Sequence, residues 1–264
     1  KENFKNVILK NKKALIIGVA SKRSIATSIA SSFSQNGAEI ALTYQNDKLK
    51  NRVEDIAANL ENSEDILLHP CDLSSDNDIK ELKSYIKDKW SNIDIIIHSA
   101  AFAPRELLSG DFVDNITRDG FQIAHDISSY SFTALAKEFR DIINTGGSMI
   151  TLSYLGSERV IKNYNVMGLA KASLESNVRY MSQSLGSDDI RVNAISAGPI
   201  KTLAAAGISG FNEILKHVED RSALQRNITQ EEVANTALFL ASPGSSGITG
   251  QVIYVDAGFN IAAV

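Results

Sequence analysis

The chain has 264 residues, 44% of them apolar and 22% charged, with a formal net charge of −4. That balance is ordinary for a globular protein, and the absence of a compact Lys/Arg stripe argues against nucleic acid as a partner. A single cysteine, Cys71, excludes an intrachain disulfide and fits a reducing compartment.

No apolar run approaches the ~18 residues that suggest a membrane span. The opening KENFKNVILK lacks the apolar stretch of a secretory signal. The cytoplasm is the expected location. KNKK (10–13), the densest basic run, reads as a solvated strand entry.

ALIIG (14–18) reads as a strand ending in glycine. SIATSIASSFSQNG (24–37) reads as a helix with Ile25, Ile29 and Ser32/Phe33 on one face and Gly37 as its stop. AEIALTY (38–44) is a second strand, DKLKNRVEDIAANL (47–60) an amphipathic helix, and DILLHPCD (65–72) a third strand. Ser75 and Asp78 form a capping-box pattern that opens a helix running to Trp90. IDIIIHSA (93–100) is the fourth strand, a long helical stretch runs through 129–143, and GSMITLSY (147–154) is the fifth strand.

A helix carrying Tyr164 and Lys171 follows, then a strand IRVNAIS (190–196), a helix capped by Thr229 with Glu232 at its third position, and a final strand QVIYVD (251–256). Near-continuous apolar strands alternating with helices indicate an α/β fold. It is expected to be one doubly wound, Rossmann-like domain over 1–264, with a parallel sheet covered on both faces. Pro70, Pro104 and Pro199 fall just beyond expected strand ends, along the edge where such sheets bind ligands.

IIGVASKRSIA (16–26) sits between the first strand and first helix, where a dinucleotide pyrophosphate binds. Gly18 supplies the tight turn, and the hydroxyl and amide of Ser24 and the amide of Ile25 are candidate phosphate donors. A strand–Gly–helix turn is also a common structural device. Gln45 stands where NAD-binding proteins place an acid for the adenosine ribose. It hydrogen-bonds hydroxyls but does not neutralise a 2′-phosphate, which favours NADH over NADPH; Lys48 and Lys50 close by weigh the other way. Asp72 is placed to accept from the adenine amino group and Leu73 to cover the ring, although CDL (71–73) also reads as a helix-entry turn.

At about 100° per residue, Tyr164 and Lys171 fall on one helix face, with α-carbons ~10 Å apart. Helical side chains lean toward the N-terminus, so Lys171 reaches back. From there it can hold ribose hydroxyls, and its charge favours phenolate character in Tyr164.

GVASKRSIA, AHDISSYSF (124–132), LSYLG, NYNVMGLAKASLE and RVNAISAGPIKTLAA (191–205) together resemble the enoyl-acyl carrier protein reductases, a divergent branch of the short-chain dehydrogenase/reductases. The resemblance spans residues 12–264. It rests on a six-residue gap between Tyr164 and Lys171, with Tyr154 near the place where the wider superfamily carries a serine. It implies NADH-dependent reduction of a trans-2-enoyl thioester, the last reductive step of type II fatty acid elongation.

In that reading Tyr164 is the donor to the developing enolate oxygen, Lys171 the ribose-binding group, and Tyr154 a second catalytic or substrate-positioning phenol. Gly18, Ser24, Ile25, Gln45, Asp72, Leu73, Ala100, Ile200, Lys201, Thr202, Leu203 and Ala204 are implied cofactor contacts. Ala103 lines the acyl site, and 203–218 forms a lid. Acyl carrier protein is the implied partner and a homotetramer the implied assembly.

The chain departs from the family pattern at Ala100 and Ala101, where Ile and Gly are usual. Its lid lacks the basic residues often placed to meet the acidic carrier protein, leaving Lys201 and Lys216. The four histidines match no metal-ligand spacing, and His98 and His125 read as structural. The alternatives are a short-chain ketoreductase and a non-catalytic dinucleotide binder.

Overall fold

The computed structural model describes residues 7–202, 205 and 208–262. Its strands are β1 (Lys13–Ile17), β2 (Glu39–Tyr44), β3 (Leu67–Pro70), β4 (Ile93–His98), β5 (Ile143–Ser153), β6 (Arg191–Ala197) and β7 (Val252–Val255). They form one parallel sheet in the order β3-β2-β1-β4-β5-β6-β7. All six residues of β4 and all seven of β6 are buried, as strands covered on both faces require.

Successive side chains divide the core between the two faces. Ala14, Ile16, Ile40, Leu42, Ile95 and Ile97 pack against α1 (Ile25–Gln35), α2 (Asp47–Ala57) and α9 (Gln230–Ala241). Leu15, Ile17, Ala41, Ile93 and Ile96 pack the other way. They meet α3 (Asp76–Trp90), α6 (Ser131–Phe139) and α7 (Val166–Leu185). Between β4 and α6 the chain makes two short helices, α4 (Phe112–Asn115) and α5 (Arg118–His125). After β6 comes α8 (Phe211–Arg221). A smaller apolar cluster of Ala103, Leu107, Leu108, Ala124, Tyr164, Val166, Met167 and Ala170 stands apart from both sheet layers.

The expected elements are present, with informative shifts. The third strand is shorter than 65–72, because Asn62 takes a left-handed conformation and starts a 3-10 turn over Ser63–Asp65. The stretch before β5 is not one helix: a π turn at Asp126–Tyr130 joins α5 to α6, and α6 ends at Phe139. Thr229 makes the full capping box with Glu232. Ser75 makes only half of one. Its hydroxyl accepts from the Asp78 amide, while the Asp78 carboxylate turns to accept from the Asp72 amide across 2.9 Å.

A further expectation overturned concerns Tyr164. It does not share a helix with Lys171, because α7 begins only at Val166. Asn163 and Asn165 both have positive φ, 65° and 45°, and asparagine tolerates that region better than most residues. Asn165 holds the bend by donating from its side chain to the Leu107 carbonyl across 3.1 Å.

Candidate active site

The strand order reverses between β1 and β4, and a ligand crevice is expected at that switch point. Gly18, just past β1, has φ +102°. A β-carbon there would run into the carbonyl of Ser99 at the end of β4. Glycine therefore satisfies both the turn and the close approach of the two strand ends.

The loop beyond it is tied internally. Ser24 Oγ accepts from the amides of Ala20 and Ser21, and Arg52 donates to the Ala20 carbonyl. The Ser24 amide donates to the Ser21 carbonyl, so it is not a free phosphate donor as the sequence suggests. The Ile25 amide at the start of α1 remains for an anion at this helix N-terminus, and the Ser24 hydroxyl, 3.4 Å from the Ser21 hydroxyl, can turn its proton to the same anion.

A cleft of about 930 Å³ opens here. Gly18, Ser24, Ile25, Gln45, Asp72, Leu73, Ala100, Ala103, Tyr154, Tyr164, Lys171, Ile200 and Thr202 all line it. Lys201 does not: it is exposed and lines an adjoining hollow with Lys216. Its neighbours Ile200 and Thr202 face the cleft instead. Leu203 and Ala204 lie outside the described residues, as does part of the expected lid. Of that lid, Ile208 and Phe211 line the cleft, and its helix α8 runs on to Arg221. Asn163 donates to the Ser209 carbonyl across 2.8 Å, tying the turn before α7 to this segment.

At the adenosine end, the Gln45 side chain donates to Asp72 Oδ2 across 3.2 Å. Ser74 donates twice to Oδ1. Burial pushes the Asp72 carboxyl up, but the bonds from Ser74 and Gln45 outweigh it and leave it below its ordinary value. The pair thus places a fixed negative charge where a ribose is expected.

At the other end the rings of Tyr154 and Tyr164 meet edge to face, with centroids 4.9 Å apart. Tyr164 lies against Gly156, where a β-carbon would strike its ring, and Gly168 in turn packs on the Gly156 carbonyl. Neither phenol hydroxyl has a hydrogen-bond partner among the described residues, although both side chains line the cleft. Lys171 is buried and donates to the Leu152 carbonyl across 2.7 Å.

This arrangement corrects the expected electrostatics. Burial, then Tyr154 and Glu175, push Tyr164 above the usual tyrosine range, and burial raises Tyr154 to about 12. Both are neutral phenols rather than incipient phenolates. Lys171 does not act on them because its ammonium is turned to the strand carbonyl. Its own amine is lowered to about 8 by burial, against a raising influence from Glu175.

His98 is fully buried, bridging Thr151 and Ser131 through its two ring nitrogens at 2.8 Å each. Burial and the Lys171 charge lower it to about 3, so it is a neutral structural group. His125 stacks on Phe121 and contacts its carbonyl.

Sequence reasoning missed Met167, Ile127 and Leu108, which add apolar lining. It also missed Glu175, buried behind Lys171. The signal for Met167 and Glu175 was spacing: each lies four residues from Lys171, on the same face of α7.

A doubly wound sheet with a long switch-point cleft, an anion-ready turn at one end and free phenols beside a buried lysine at the other defines a dinucleotide-dependent oxidoreductase. A profile of the enoyl-(acyl carrier protein) reductases matches residues 18–260. The NADH-dependent enoyl-acyl carrier protein reductase FabI of Escherichia coli K12 is 54% identical over 97% of both chains, and that of Bacillus subtilis is 48% identical over 98% of this chain and 99% of its own. The crystal structure of the Aquifex aeolicus NADH enoyl reductase superposes with a TM-score of 0.93 at 46% identity, covering 97% of this chain and 99% of its own. An Anaplasma phagocytophilum enoyl reductase in complex with NAD superposes with 0.92 at 40% identity over 97% of both. The chain belongs to the enoyl-acyl carrier protein reductase family.

Proposed function

We propose that the protein reduces the trans-2 double bond of enoyl-acyl carrier protein thioesters with NADH, the last reductive step of type II fatty acid elongation. The observation that carries this reading is the pair of partnerless phenols, Tyr154 and Tyr164, in a switch-point cleft beside buried Lys171. When bound, NADH supplies the hydride that adds to the substrate's β-carbon. Negative charge then gathers on the thioester oxygen, where a fixed hydrogen-bond donor lowers the barrier, and the α-carbon takes up a proton as the thioester carbonyl re-forms.

Tyr164 is that donor, and Tyr154, packed edge-on against it, sets the position of the thioester. Lys171 holds the nicotinamide ribose. The turn at Gly18, the Ser24 hydroxyl, the Ile25 amide and Thr202 receive the pyrophosphate. Gln45 and Asp72 take the adenosine end, with Leu73 over the ring. Ala100 and Ile200 flank the nicotinamide. Lys201 reaches the cofactor only through its backbone, and Leu203 and Ala204 are assigned to the same segment by resemblance alone.

Ala103 and the small apolar cluster around Leu108 and Met167 accept the acyl chain, under a lid formed by 203–218. The chain acts as one catalytic domain, in the cytoplasm, as a homotetramer. No helix among the described residues is long and apolar enough to cross a membrane.

The test follows absorbance of the reduced nicotinamide with a trans-2-enoyl thioester, using NADH and NADPH in parallel. Rapid consumption of NADH is expected. Turnover of a 3-keto thioester with an inert enoyl substrate would instead make the protein a ketoreductase.

A further inference from the structure

Glu175 lies one turn beyond Lys171 on α7, and the two residues are only 5% and 6% exposed. A carboxylate so far from water needs partners. Ser153, the last residue of β5, donates to its Oε1, and Ser157 donates to the same oxygen across 2.7 Å. Ser153 and Ser157 bracket the segment that carries Tyr154 and the Gly156 seat of the Tyr164 ring. The carboxylate is therefore bonded at both ends of the segment that carries Tyr154 and seats Tyr164, one helical turn from Lys171.

Glu175 and Lys171 are not joined directly, since the ammonium donates to the Leu152 carbonyl. Residues four apart on a helix share one face, and the acceptor of Lys171, Leu152, is next in the chain to Ser153, which donates to Glu175. Between groups so placed the carboxylate charge raises the Lys171 amine, the more so where water is excluded. The groups around Lys171 offer no competing charge. His98 at the end of β4 is neutral, as are Tyr154 after β5 and Tyr164 before α7. On β7, Tyr254 is raised to about 12 by burial, then by its bond to Glu158, with Glu175 and Asp256 adding to the effect. Burial lowers the Lys171 amine, and Glu175 is the one carboxylate that opposes it.

We propose that Glu175 is a positioning residue of the reductase, whose buried carboxylate keeps Lys171 an ammonium able to hold the cofactor ribose. The proposal rests on the reading of Lys171 as the ribose-binding group, and the test separates the two. NADH affinity is measured by fluorescence from pH 6 to 9.5 in the wild type, Glu175→Gln and Lys171→Ala. Wild-type affinity is expected to fall tenfold per pH unit above the point where free Lys171 loses its proton, down to the level of Lys171→Ala.

In Glu175→Gln that fall begins at least about one pH unit lower. Affinity is then unchanged at pH 6 and about fivefold or more weaker at pH 8. A uniform loss at every pH, or no change, overturns the proposal, because a merely structural carboxylate does not move the limb. Lys171→Ala is expected to bind weakly with no limb; if it keeps wild-type affinity, the Lys171 reading fails instead. Should Glu175→Gln not fold, Glu175→Asp serves. Retracting the charge by a methylene moves the limb down by a smaller amount if the charge matters, and leaves it in place if it does not.

Discussion

A phenol surrounded by apolar side chains and lacking a hydrogen-bond partner stays protonated well beyond neutral pH, so the role proposed for Tyr164 is that of a donor and not of a base. In that role its hydroxyl would have no bond to release before meeting a thioester oxygen, the preorganisation that favours a charged transition state. Replacing Tyr164 by Phe keeps the ring's packing against Gly156 and Tyr154 and removes only that donor. Steady-state kinetics with an enoyl thioester should show kcat lowered by about 10²–10³-fold, with NADH affinity by fluorescence unchanged. Full activity in this variant would assign the oxyanion contact to Tyr154. The role proposed for Lys171 is different: it donates to the Leu152 carbonyl and lines the cleft, so its loss is expected in cofactor binding and not in the chemical step.

At the scale of elements, side chains at the helix termini fix the loops that lead into them. The Asp78 carboxylate on α3 pins the Asp72 amide, and the start of α9 is locked by Thr229, Glu232 and Arg226. Glu232 accepts from both Arg226 guanidinium nitrogens and from the Thr229 amide. The Arg226 bonds, then the Thr229 amide, hold it near 2, against an ordinary value of 4.5. A depressed carboxylate stabilises the fold above its unfolded value and loses that contribution as pH falls toward its folded value. Glu232→Gln should therefore lower the thermal midpoint at pH 7, and the gap from wild type should close between pH 4.5 and about 2. The site is partly solvated, so the effect is about 1 kcal/mol or less. A gap that persists undiminished at pH 2 would assign it to hydrogen-bond geometry alone.

Elements of this kind were largely legible in the sequence, because caps, apolar runs and glycine stops are local signals. The β4 run IDIIIH and the Thr229–Glu232 pair needed no partner to be recognised. The departure of Tyr164 from α7 was not legible: YNVMGLAK reads as unbroken helix. What bends it is the hydrogen bond from Asn165 to Leu107, more than fifty residues away in sequence. The orientation of Lys171 toward Leu152 is likewise a tertiary fact, and with it went the inference that its charge reaches the phenol.

Over the whole molecule, the cleft runs from Gln45 and Asp72 on the β2–β3 side of the sheet, across the switch point, to Tyr164, Met167 and Phe211, so a dinucleotide lying along it would tie both halves of the sheet together. Ligand that binds only the folded chain stabilises it by about 2.7 kcal/mol at a hundredfold excess over its dissociation constant. For a chain of this size that corresponds to a rise of about 5–10 °C in thermal midpoint. The adenosine end decides which dinucleotide produces it. Gln45 is held by Asp72, whose carboxyl is kept ionised by Ser74 and Gln45, and an adenosine 2′-phosphate would meet that charge without a cation in the pair to offset it. NADH should therefore raise the midpoint by the full amount, and NADPH at the same concentration by distinctly less. Asp72→Asn should narrow the difference between them, because it removes the charge and keeps the side chain's shape. Equal shifts from both cofactors in the wild type would mean that Lys48 and Lys50, at the start of α2, govern that end of the cleft instead.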